Sequence, residues 1–67
     1  MDFSYNELIA IYGAVKQTRD TATELLTKMD LLDPDREGTK QLISTYNSVL
    51  RKLNNVFKEN NLKKPTL

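Results

Sequence analysis

A single proline interrupts the interior of this chain. Pro34 stands at the midpoint of 67 residues, and the only other proline, Pro65, lies near the C-terminal end. Proline lacks an amide hydrogen and its ring collides with the preceding helical turn, so neither a helix interior nor a central strand runs through position 34. The chain is thereby divided into two segments of similar length, and each carries one apolar period. In the first, Leu8, Ile11, Val15, Thr18, Ala22, Leu25, Met29 and Leu32 alternate steps of three and four; in the second, Leu42, Tyr46, Val49, Leu53 and Val56 do the same, with Asn60 in the next place. Such steps put side chains on one face of an α-helix. The sequence predicts an all-α fold, an antiparallel two-helix hairpin.

The ends of the two helices carry their own signals. Ser4-Tyr5-Asn6-Glu7 fits a capping box, in which the Ser4 hydroxyl and the Glu7 carboxylate each take an orphan amide, and Phe3 and Leu8 occupy the places of a hydrophobic staple. Asp33-Pro34 reads as an N-cap followed by proline in the first helical position. Proline also disfavours helical geometry at Asp33, which ends the first helix near residues 30–32. The expected organisation is one domain over 1–67, with helix one over 4–32, a turn at 31–34, helix two over 34–60 and a tail at 61–67. A later start for helix two, with Thr39 as its cap, is the alternative. A connection of about two to four residues makes the helices adjacent and antiparallel.

Each helix is wider in apolar residues than a two-stranded seam requires. Tyr5, Tyr12 and Leu26 form a second row on the first segment, and Ile43, Leu50 and Phe57 on the second, each one residue after a seam position. A lone hairpin is expected to leave one flank in water, including some of Ile9, Tyr12, Leu26, Ile43, Leu50 and Phe57. A chain this short, with neither Cys nor His, has no disulfide or Cys/His zinc site to reinforce its core, which leaves association. The expected assembly is a homodimer, two hairpins closing a four-helix bundle, with a different protein supplying the missing helices as the alternative. The expected interface comprises Leu8, Ile11, Tyr12, Val15, Leu25, Leu26, Met29, Ile43, Tyr46, Val49, Leu50, Leu53, Val56 and Phe57, with Tyr5, Tyr12 and Tyr46 as aromatic anchors. Thr18, the one polar seam residue, is expected to turn its hydroxyl onto the carbonyl one turn back.

Charge divides the chain as well. Residues 1–33 hold six acidic side chains against three basic, and residues 34–67 hold seven basic against three acidic, for a net +1 overall. The ordinary reading is attraction between neighbouring helices. The sharper one takes Lys40, Asn47, Arg51, Asn54 and Lys58 as an outward strip on helix two that meets the phosphates of a nucleic acid. A sequence pI near 8.0 is low for that role. Asp33-Pro34-Asp35-Arg36-Glu37-Gly38 opens like a calcium loop, but its twelfth place is Ser44 rather than a bidentate carboxylate, so no metal is expected. Asp20 and Glu24 share a helix face, yet Glu24 to Lys28 is the orientation of an ordinary i, i+4 ion pair. No residues are assigned to catalysis or to a cofactor, and no small-molecule substrate is expected of so thin a bundle. Residues 1–5 lack the basic start and apolar run of a secretory signal, and no apolar stretch is long enough for a membrane span, so the expected setting is the cytoplasm.

In outline, a hairpin with Asp-Pro in its turn resembles the small aspartyl-phosphate phosphatases of sporulating bacteria. That family carries Ser-Gln-Glu-Leu-Asp on its second helix, where this chain reads Ser44-Thr45-Tyr46-Asn47-Ser48 without an acidic residue, so the catalytic role is not carried over. The outline is also similar to the Rop-type RNA-binding plasmid regulators, through layout rather than a residue motif. In style the chain is similar to short helical proteins of bacteriophages and Gram-positive bacteria. The function expected is a non-enzymatic interaction or regulatory module that self-associates and binds, inhibits or scaffolds a macromolecular partner, a protein first and a nucleic acid second.

Overall fold

The structure is a computed structural model that describes residues 2–65. It is a hairpin of two α-helices, α1 (Tyr5–Lys28) and α2 (Arg36–Glu59), packed against each other. The hairpin extends 44 × 17 × 16 Å. The capping box forms as the sequence predicts: the Glu7 amide donates to Ser4 Oγ at 3.2 Å, and the Ser4 amide donates to Glu7 Oε1 at 2.8 Å. The Ser4 backbone amide first, and the nearby Ser4 hydroxyl second, favour the ionised carboxylate and hold Glu7 below the usual carboxylate range. Thr18 also behaves as expected, donating to the Ala14 carbonyl at 2.8 Å.

The connection is longer than the spacing predicts, running over residues 29–35 rather than 31–34. Helix α1 stops at Lys28 instead of near 32, because Met29 turns to extended backbone (φ −81°, ψ 141°) with its amide on the Leu26 carbonyl. The guanidinium of Arg36 reaches back to the Leu26 and Met29 carbonyls at 3.1 and 3.4 Å. A cation thus satisfies acceptors that another helical turn would have used. Leu31 and Leu32 are consequently outside the helix and 82% and 94% exposed. Helix α2 starts at Arg36 instead of Pro34, one step after a reverse turn in which the Arg36 amide donates to the Asp33 carbonyl at 3.1 Å. Asp35 at φ −85°, ψ −5° occupies the third place of a type I turn, with Pro34 in the second place that proline favours. Asp33 does cap, but it caps this turn, accepting from the Asp35 amide at 2.8 Å. A start at Thr39 is excluded, since the Thr39 amide and hydroxyl both donate to the Asp35 carbonyl within the first turn of α2.

At its other end α2 closes in a way the period does not reveal. Asn61 adopts the left-handed conformation (φ 55°), the Leu62 amide donates to the Phe57 carbonyl at 2.8 Å, and the Asn61 amide donates to the Lys58 carbonyl at 3.2 Å. This is a Schellman motif, for which asparagine is the usual substitute for glycine. It turns Leu62 back onto the core, and the Tyr5 hydroxyl donates to the Lys63 carbonyl at 2.8 Å. The expected tail is therefore structured through its first residues, while positions 66 and 67 lie outside the described residues.

Burial is concentrated at this terminal end. Leu8, Tyr12, Leu50, Leu53 and Phe57 form the core, with Ile9, Ile11, Val15, Val49, Val56 and Leu62 packed around it. Phe57 is 1% exposed and receives Tyr5 and Tyr12 in edge-to-face contacts at 6.2 and 5.9 Å. Among the described residues none from 13 to 49 is fully buried.

Candidate interaction surface

The two apolar rows of each helix have different fates, and in the opposite sense to the expectation. Tyr12 is buried while Ile11 is partly exposed, Leu26 is half-buried while Leu25 is exposed, and Leu50 and Phe57 are buried while Val49 and Val56 are not. Ile43 is likewise more sheltered than Leu42. The rows through 12 and 26 and through 43, 50 and 57 turn into the hairpin, and the rows through 11, 18 and 25 and through 42, 49 and 56 line its open flank. A stripe three residues wide facing one neighbouring helix shelters two columns and exposes the third.

The expected interface list is corrected accordingly. Leu8, Tyr12, Leu50, Leu53 and Phe57 are consumed by the chain's own core and offer nothing to a partner. Tyr12 is thereby removed as an exposed anchor. Leu26, Met29, Ile43 and Tyr46 are half-buried, whereas Leu25 is 53% exposed. Ile11, Val15, Val49 and Val56 each bury one side against the core and keep some exposure. The exposed apolar residue of this flank that the expectation omits is Leu42, 51% exposed; its place in the seam was the signal.

On the turn half of the open flank lies a groove of about 400 Å³ lined by Gln17, Thr18, Thr21, Ala22, Leu25, Leu42 and Tyr46. None of these seven side chains is charged. The ionic groups of the same stretch sit elsewhere: Asp20 accepts from Arg19 Nε at 2.8 Å and lies 3.2 Å from Lys16 Nζ, and Arg19 Nη1 donates across the hairpin to Asn47 Oδ1 at 2.8 Å. The Arg19 guanidinium, then the Lys16 ammonium, holds the Asp20 carboxyl below its ordinary range. The groove itself is thus free of charge and is bordered beside Leu25 by the Glu24 and Lys28 side chains; depletion of charge is what marks the centre of a protein–protein interface.

The outward strip proposed for nucleic acid is broken by the same interhelical contacts. Asn47 is engaged by Arg19, and Asn54 is half-buried with its side-chain oxygen enclosed and unpaired. Lys40, Asn47, Arg51 and Lys58 are exposed, but Asn47 is held by Arg19 and Lys40 lies 3.9 Å from the Glu37 carboxylate. Sequence spacing placed the asparagines with these cations because all five lie on one side of the helix; Asn47 and Asn54 are at the edge that meets α1.

Asp33 and Asp35 are parts of the turn described above, and among the described residues no group of three or more acidic side chains gathers as a metal site. Among the described residues no helix is long and apolar enough to cross a membrane. No protein-family model, curated protein or solved structure matches this chain.

Proposed function

We propose that this chain is a small non-enzymatic interaction module that works in the cytoplasm and binds another protein surface through the open flank of its hairpin, regulating or scaffolding what it binds. The observation that carries this reading is the pairing of half-exposed Leu25 and Leu42 across an uncharged groove. An apolar strip of this kind is costly to leave in water and contributes little to the hairpin's own core, so its contribution comes on association. The terminal core keeps the hairpin folded while the flank stays available, which is the division a binding module needs.

The test is site-resolved cross-linking in cells that produce the protein. A photoreactive phenylalanine analogue at position 25 is expected to form protein adducts, and the same group at position 51, on the charged side, is not. Equal labelling from both positions, or none from either, overturns the reading.

A further inference from the structure

We infer that the open flank is covered by the same flank of a second copy, the two hairpins lying antiparallel about a two-fold axis perpendicular to their length. The inference rests on the preceding reading that the flank binds protein, and it names the partner. Three features of the chain argue for a second copy. The first is charge. The groove carries no charged side chain, so the terminal half of a partner's apolar flank covers it without burying an unpaired charge there. The second is area. A long side bounded by 44 × 16 Å offers at most about 700 Å² on each copy, so a pair joined along its full length removes up to about 1,400 Å² from water, which reaches the range of about 1,200–2,000 Å² that stable pairs bury.

The third feature sets the direction. Residues 28–40, around the turn, hold four acidic side chains and three basic; residues 2–9 and 51–64, at the terminal end, hold five basic and three acidic. An antiparallel pair lays the acidic turn of each copy over the basic terminal end of the other, whereas a parallel pair opposes ends of the same sign. Apolar fit agrees. Leu25 lies roughly 12 Å from the middle of α1 toward the turn, counting about 1.5 Å per residue. The antiparallel partner presents Val56 at that depth, and Leu42, roughly 8 Å from the middle of α2, is matched in depth by the partner's Ile11. The half of each hairpin with no buried side chain is thus covered by the half that has a core.

The chain lacks cysteine, so directed disulfides test the arrangement. Leu25→Cys and Val56→Cys are made separately, mixed and oxidised; the expected product joins position 25 of one copy to position 56 of the other, and Leu25→Cys alone gives little dimer. Light scattering of the wild-type chain is expected to show twice the 7.7 kDa mass. Leu25→Glu with Leu42→Glu is expected to weaken pairing at least about 100-fold, as burial of unpaired charge does, with helix content retained because neither residue belongs to the core. A disulfide chiefly between two copies of position 25 overturns the antiparallel arrangement, and a monomer up to millimolar concentration overturns the second copy. If a monomer still yields adducts from position 25 to a different protein in cells, the binding flank stands and only the identity of its partner falls; no adducts of any kind remove both.

Discussion

The two ends of this hairpin are built from similar materials and reach different states. At the terminal end Leu8, Tyr12, Leu50, Leu53 and Phe57 are enclosed by one another, by Tyr5 and by the returning Leu62. At the turn end Leu25, Leu31, Leu32 and Leu42 are all at least half exposed. The difference is what closes the ends: a Schellman turn folds Leu62 back over the terminal end, while the turn end is held by hydrogen bonds that Arg36 donates and Asp33 accepts, which satisfy the backbone without covering apolar surface. Stability and availability for binding are thereby separated along one 44 Å rod.

That contrast is broken most directly at Phe57. Phe57→Ala removes the most enclosed side chain of the core and is expected to cost about 3–4 kcal/mol, enough to unfold so small a chain in a thermal circular-dichroism scan. Leu25→Ala, the matched truncation at the turn end, is expected to change the stability of the isolated hairpin by less than about 0.5–1 kcal/mol. Comparable losses from the two would mean that the ends do not differ in the way described. Asn61→Val tests the device that closes the terminal end: a β-branched residue in the left-handed region should cost about 1–2 kcal/mol, read as a lower urea midpoint, whereas Asn61→Gly should cost nothing.

Smaller effects sharpen the comparison. Ser4→Ala is expected to cost about 1 kcal/mol through the lost cap. Acid acts on the same cap and on the Arg19–Asp20–Lys16 cluster. Glu7 and Asp20 titrate lower in the folded chain than their ordinary values of 4.5 and 3.8, so their contributions are complete above those values and are lost as the pH falls through the lower folded ones. Denaturation midpoints should therefore be flat from neutral pH down to about 5 and decline below it, and Glu7→Gln should flatten part of the decline. Least of all, Glu24→Gln breaks a 3.3 Å ion pair whose side chains are 70% exposed and should move stability by no more than about 0.5 kcal/mol. Amide exchange separates the ends without mutation: amides of 42–48 should exchange faster than those of 50–57 in the dilute chain, and the gap should narrow as concentration rises if a second copy covers the flank.

Much of this architecture is legible in the residues. The Ser4–Glu7 box, the helical period, the hydroxyl of Thr18, the Glu24–Lys28 pair and the antiparallel hairpin all follow from local chemistry, where partners lie within four residues or are joined by a turn. The misplaced features depend on distant partners. Arg36 ends α1 by reaching carbonyls seven and ten residues back, and Arg19 ties up the exposed Asn47 side chain across 28 residues. The closing turn at Asn61 was within reach, since Asn60-Asn61-Leu62 after an apolar helix end is the pattern of a left-handed cap followed by a returning apolar residue.

The amino-acid order alone determined that there are two amphipathic helices, where α1 begins, and that each carries an apolar stripe three residues wide. Only the tertiary structure decided which column of that stripe is hidden. The rows one residue apart are alike in hydropathy and in period, so nothing local distinguishes Leu25 from Leu26 or Val56 from Phe57. Their fates separate when the connection at 29–35 sets α2 on one side of α1, because a second helix shelters the columns it lies against and leaves the other to water or to a partner.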